Sequence, residues 1–99
     1  MRRGTTPTHT FMSPIDLRNA RVLFMTYTQN GKKVVEKSIE DIEIQEDRLI
    51  VTLTQTDTLA FSTIGKVEIQ CRAKFPDGSA LASQVIETSA KKILKEGVI

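Results

Sequence analysis

The chain has no tryptophan, one cysteine, one histidine and one tyrosine among its ninety-nine residues, and each scarcity removes a class of chemistry. A single histidine, His9, leaves zinc sites, imidazole-based triads and paired acid–base arrangements with at most one of their usual members. His9 stands among threonines, which fits a solvated or hydrogen-bonding structural role. The lone Cys71 cannot close an internal disulfide, and it falls on the apolar face of an alternating segment, where a thiol packs as a small hydrophobe. Beside Tyr27 the aromatics are Phe11, Phe24, Phe61 and Phe75, which read as core, so the stacking platforms used by sugars and single-stranded nucleic acids are missing. Glycines are scattered as turn residues and never gather into a phosphate-cradling loop.

Charge of one sign is also lacking. Fourteen Lys and Arg against twelve Asp and Glu leave +2, too little for an electrostatic footprint that attracts nucleic acid or an anionic membrane. The main acidic cluster, Glu36, Glu40, Asp41, Glu43, Glu46 and Asp47, is interleaved with Lys37, Ile39, Ile42 and Arg48 and matches neither a calcium loop nor a glycosidase carboxylate pair. It reads as a solvated face. No apolar run approaches the eighteen or so residues of a membrane span, and Met1-Arg2-Arg3 leads into threonines, not into a signal-peptide core. The expectation is synthesis in a cytoplasm, with no membrane partner, no cofactor, no metal, no small-molecule substrate and no enzymatic activity.

What is present is β-sheet patterning. In residues 67–75, Val67, Ile69, Cys71, Ala73 and Phe75 alternate with Glu68, Gln70, Arg72 and Lys74, as a strand with one dry and one wet face requires. Pro76-Asp77-Gly78 then turns the chain toward a second extended segment, with Phe75 expected opposite Ser79, and Leu81 and Val85 beside Ala73 and Ile69. Asn30-Gly31 between residues 21–29 and 32–38 is a type I′ hairpin signal. A two-residue loop sets Tyr27 opposite Val34 and Thr26 opposite Val35. Residues 42–45 and 49–53 form a further hairpin around Glu46-Asp47-Arg48, and Thr54-Gln55-Thr56-Asp57 is a capping-box sequence that places about one helical turn near residues 55–60. Residues 5–10 read as an arm running into an edge strand that ends near Met12, and residues 90–96 can close as a short helix. Short strands at spacings near ten residues describe one all-β domain over residues 1–99, an antiparallel sandwich of immunoglobulin-like outline with an N-terminal arm and a C-terminal tail.

The segments Arg2-Arg3-Gly4-Thr5-Thr6-Pro7-Thr8, Tyr27-Thr28-Gln29-Asn30-Gly31-Lys32, Val51-Thr52-Leu53-Thr54-Gln55 and Ile93-Leu94-Lys95-Glu96-Gly97-Val98-Ile99 carry a resemblance. On them the chain resembles a family of small structural proteins of Firmicutes phages and prophages, along its whole length. The resemblance implies a virion structural or assembly protein of the tail or baseplate region, working by contact with copies of itself or with neighbouring virion proteins. It implies a path from host cytoplasm to virion.

Both faces of residues 21–29 carry apolar side chains, which leaves one apolar strip either covered or shown to a partner. The candidate interface residues are therefore Leu23, Met25 and Tyr27 on that strip, Arg2 and Arg3 in the arm, and Lys95, Val98 and Ile99 in the tail. The rival class is a host-surface or carbohydrate-binding β-sandwich module.

Overall fold

Alternation in the sequence becomes two antiparallel sheets, and their inner faces make the core. The computed structural model describes residues 1–99 as β1 (Thr8–Met12), β2 (Val22–Gln29), β3 (Lys32–Ser38), a single 3₁₀ turn (Ile39–Asp41), β4 (Ile42–Gln45), β5 (Arg48–Thr52), α1 (Gln55–Leu59), β6 (Val67–Lys74), β7 (Ala80–Ala82) and β8 (Ile86–Thr88). One sheet has the order β1-β5-β4, the other β3-β2-β6-β7, with β8 also paired to β6. Leu49, Val51 and Ile42 from the first sheet share one buried cluster with Leu23, Met25, Tyr27, Val67, Ile69 and Cys71 from the second. Burying a side chain of this size fully is worth about 1.5–3 kcal/mol, so this inter-sheet layer carries the fold. The protein is an all-β sandwich. In an immunoglobulin constant domain the second strand lies beside the first and the fifth; here β2 lies between β3 and β6, so the likeness stops at the two-sheet outline.

The candidate strip Leu23, Met25 and Tyr27 is core, which corrects its reading as an interface. All three side chains are buried against the other sheet, and their cross-strand partners on β6 are Ala73, Cys71 and Ile69. The spare apolar residues of β2, Val22 and Phe24, face outward opposite Lys74 and Arg72. Long basic side chains can lay their aliphatic stems along such positions while their charges stay wet.

The β2–β3 hairpin departs from the simple register, and the departure repairs the core. Asn30 and Gly31 both have positive φ, 54° and 77°, as a type I′ turn demands, and Gln29 pairs with Lys32 and Thr28 with Lys33. Beyond them a bulge at Tyr27/Thr28 sets Tyr27 opposite Val35 and Thr26 opposite Glu36, not Val34 and Val35. The extra residue returns Val35 to the dry face, where it is buried, and sends Glu36 outward to accept a hydrogen bond from Thr26 Oγ1.

A similar slip interrupts the last hairpin. The Pro76-Asp77-Gly78 turn forms with the Phe75 N–H donating to Ser79 O, and Ala73 pairs with Leu81 as expected. Ile69 pairs with Ile86, however, and Val85 is exposed. Ser83 causes this: its hydroxyl accepts the Cys71 N–H at 2.9 Å and donates to the Gln84 carbonyl, which inserts one residue and splits the strand into β7 and β8.

The capping box forms in full. Thr54 Oγ1 accepts the Asp57 N–H and the Asp57 carboxylate accepts the Thr54 N–H, opening α1. No helix forms over residues 90–96, because the Lys91 backbone is engaged elsewhere: its N–H donates to Met1 O and its carbonyl accepts the Arg3 N–H.

Candidate interaction site

The two chain ends lie together beside α1, in an elongated body whose principal extents are 48 × 25 × 18 Å. The Met1 ammonium donates to Ser89 O at 2.7 Å, and the Arg2 guanidinium donates to Lys92 O at 2.7 Å. Arg3 donates to Phe61 O and Leu59 O at 2.7 and 3.0 Å and pairs with Glu96 at 2.5 Å. Arg3 thus caps carbonyls that α1 and the turn after it leave free, the usual use of a basic side chain at a helix C-terminus. Thr58 Oγ1 donates to Thr5 O, the Leu53 N–H donates to Pro7 O, and Gly4 packs so closely on Ile93 that a Cβ there would stand 2.8 Å from its Cδ1. The arm is stitched into its own chain. Arg3, expected to reach a neighbour, spends its donors on this lacing, whereas Arg2 commits one bond to Lys92 O and stays exposed.

The tail is held differently. The Gln55 side chain receives the Ile99 N–H at 2.8 Å and donates to Ile99 O at 3.3 Å, gripping the backbone as a neighbouring strand would. The side chains stay outside: Leu94 is 93% exposed, Ile99 88% and Val98 64%. Lys95 is exposed between them and makes no ion pair.

At the end of β1 and β5 away from α1 the sandwich is open. A cleft of about 490 Å³ runs between the sheets, walled by Phe11 and Leu49 on one side and by Met25, Ile69, Cys71 and Leu81 on the other. Met12, Ile15 and Ile86 line it and remain exposed at its rim, with the exposed Val85 next in sequence. None of the fifteen lining residues carries a formal charge in its ordinary state, and burial pushes the Cys71 thiol up, which keeps it protonated. The position follows from the strand register. β1 and β5 pair from Thr8↔Thr52 near α1 to Met12↔Arg48 at the far end, and the cleft takes Phe11, Met12 and Leu49 from that far end. Sequence reasoning missed Met12, Ile15, Ile86 and Leu94. Their signal was an apolar residue on each side of Ser13-Pro14, and Leu94 with no apolar partner at strand spacing.

Three polar clusters brace the sandwich. His9 of β1 stacks on Tyr27 of β2 with ring centroids 5.8 Å apart, and its Nδ1 lies 2.8 Å from the Tyr27 hydroxyl. Burial and the Met1 ammonium hold the imidazole below its ordinary pKa, while burial and the Asp57 charge push the phenol up. Both groups are neutral near pH 7, and they tie one sheet to the other. Lys37 reaches Asp57 at 2.7 Å; burial raises that carboxyl, but the bonds from Lys37 and Thr54 outweigh it and hold the pKa below the usual carboxylate range. Gln29, nearly fully buried at the end of β2, donates to Ser62 O and Gly65 O and accepts the Ser62 N–H. These clusters fix loops and sheets, and no group of three or more potential metal ligands occurs among the residues.

The fold defines an all-β protein with two antiparallel sheets and an apolar cleft between them. No family model, curated protein or solved structure matches the chain.

Proposed function

We propose that this protein is a virion structural or assembly component of a Firmicutes phage or prophage, in the tail or baseplate region, acting through protein–protein contacts. After synthesis in the host cytoplasm it joins the particle and contacts copies of itself or neighbouring virion proteins. The observation that carries this reading is the arrangement of exposed apolar side chains: of the ten large ones, Met12, Ile15, Val85 and Ile86 gather at or beside the cleft rim, and Leu94, Val98 and Ile99 on a tail whose backbone is clamped in place. Exposed apolar clusters on a stitched β scaffold are what a docking component presents. The resemblance to phage structural proteins points the same way, with Lys95, Val98 and Ile99 kept as contact residues and the buried strip withdrawn.

A carbohydrate-binding module has less support. The cleft offers one aromatic ring, Phe11, and no charged donors, whereas sugar recognition uses aromatic faces flanked by hydrogen-bonding side chains. The test is proteomic analysis of purified induced particles, with and without deletion of the gene. The protein should be found at a fixed stoichiometry with tail proteins, and deletion should yield incomplete particles; its absence from particles and normal assembly without it would overturn the proposal.

A further inference from the structure

We propose that Asn30 is a deamidation site controlled by the corner on which it sits. While its carboxamide rests on Gly65 the residue is stable, and when that corner opens the chain converts it to aspartate and isoaspartate. The inference is independent of the assembly reading, and its chemistry needs only water. The Gly31 backbone nitrogen, once it has given its proton to hydroxide, attacks Asn30 Cγ. A new N–Cγ bond forms, the Cγ–Nδ2 bond breaks, and Nδ2 takes a proton from water and leaves as ammonia. Water then opens the resulting succinimide. Cleavage between the ring nitrogen and Cγ leaves aspartate, and cleavage between that nitrogen and the Asn30 carbonyl carbon leaves isoaspartate. A following glycine favours ring closure, because no Cβ obstructs the attacking nitrogen. The only other asparagine, Asn19, precedes Ala20 and lacks that advantage.

Asn30 is exposed, but its carboxamide is seated. A Cβ on Gly65 would overlap Asn30 Oδ1 and stand 3.0 Å from its Cγ, so the amide fills the space that glycine leaves, with Nδ2 3.4 Å from Ile64 O. The neighbouring residue holds that seat in turn: the buried Gln29 amide donates to Gly65 O at 3.0 Å and to Ser62 O at 2.7 Å. The backbone adds a second restraint. Asn30 and Gly31 have φ of 54° and 77°, the signs of a type I′ turn, which holds ψ of its first central residue at about +30°. A succinimide needs that ψ at roughly −120°, the value of a type II′ turn. Ring closure therefore requires the carboxamide to leave Gly65 and the Asn30–Gly31 peptide to flip beside the Gln29↔Lys32 pair. Both movements are local, and local openings cost less than global unfolding. Neither product fits back. Aspartate sets an acceptor against Ile64 O where Nδ2 donated, and isoaspartate lengthens the backbone in a turn whose length sets the strand register.

Peptide mapping by mass spectrometry, with isoaspartate resolved from aspartate, tests this on the full chain incubated in mildly alkaline buffer. The folded wild type should convert Asn30 at least about tenfold more slowly than the chain in urea, which corresponds to about 1.4 kcal/mol of opening. In urea Asn30 should convert ahead of Asn19, with isoaspartate among the products. Gly65→Ala evicts the carboxamide, and Gln29→Leu releases the seat without touching Gly65; each should speed the folded-state reaction about tenfold. Leu81→Ala is the control for general destabilisation, since Leu81 pairs with Ala73 at the end of β2 remote from the turn, and it should leave Asn30 as slow as in the wild type. Equal rates in folded and unfolded wild type would overturn the proposal. So would conversion of Asn19 ahead of Asn30 in urea, wild-type rates in both corner variants, or a Leu81→Ala acceleration as large as theirs.

Discussion

The Tyr27 hydroxyl lies 2.8 Å from His9 Nδ1, so the only tyrosine and the only histidine of the chain meet across the sandwich. The bond joins β1, an edge strand of one sheet, to β2, a central strand of the other. A sequence scarce in both residues has spent them on each other.

That pairing predicts a pH dependence of stability. Burial and then the Met1 ammonium lower the folded pKa of His9 below the ordinary value of 6.5. The unfolded chain therefore binds a proton at higher pH than the folded one, and the stabilisation is complete above about pH 6.5 and is lost as the pH falls toward the folded pKa. Urea melts from pH 7.5 to 5 should show this slope, and His9→Gln should flatten it. An NMR titration placing the His9 pKa at or above 6.5 would refute the account.

Gln29 anchors the turn around Ser62 and Gly65 with three hydrogen bonds from a nearly fully buried amide. Replacing it with leucine preserves bulk but strands two carbonyls and one N–H. We expect a loss of roughly 2 kcal/mol in chemical denaturation: Ser62 and Gly65 are themselves exposed, so each lost hydrogen bond counts for about 0.5–1.5 kcal/mol and not for a full desolvation penalty. A loss under about 1 kcal/mol would show that water reaches these groups.

Gly31 has φ +77° and nothing within 4 Å of where a Cβ would stand, so its requirement is purely one of backbone conformation. Gly31→Ala should cost about 1 kcal/mol through left-handed strain alone. Asn30→Gly should leave the turn formed, because glycine also accepts the observed φ of 54°. Thermal melts of the two variants should separate accordingly.

Cys71 is buried and burial pushes its thiol pKa up. Reaction with a disulfide reagent at pH 8 should be slow in the folded protein and should accelerate at least tenfold on unfolding, as thiolate fraction and access both rise. Equal rates in the two states would mean that the cleft opens to the thiol.

Much of the secondary structure was legible because its signals are local. Val67, Ile69, Cys71 and Ala73 alternate with polar residues, and all four are buried on one face of β6. Asn30-Gly31 and the Thr54 to Asp57 capping box each contain their own partners within a few residues, so both formed where the sequence placed them. The register errors arose where one residue was added. The bulge after Tyr27 and the Ser83 insertion are visible only once a facing strand supplies the competing bonds, and a slip of one residue exchanges the two faces.

The candidate site was less legible for the same reason. Leu23, Met25 and Tyr27 form an apolar stripe that a sequence cannot assign to core or partner, and packing of the second sheet decided for core. Arg2 and Arg3 find their acceptors at Lys92, Leu59 and Phe61, more than fifty residues away. By itself, the sequence determined an all-β chain with few reactive groups, its hairpin turns and its one helical turn, because alternation and turn chemistry act over a few residues. Only the tertiary structure decided which strand joins which sheet, which apolar face is dry, and that the chain ends meet beside α1 while the cleft opens away from it. Those outcomes depend on contacts between segments far apart in the chain, where side-chain packing and hydrogen-bond competition select among arrangements that local patterning leaves equal.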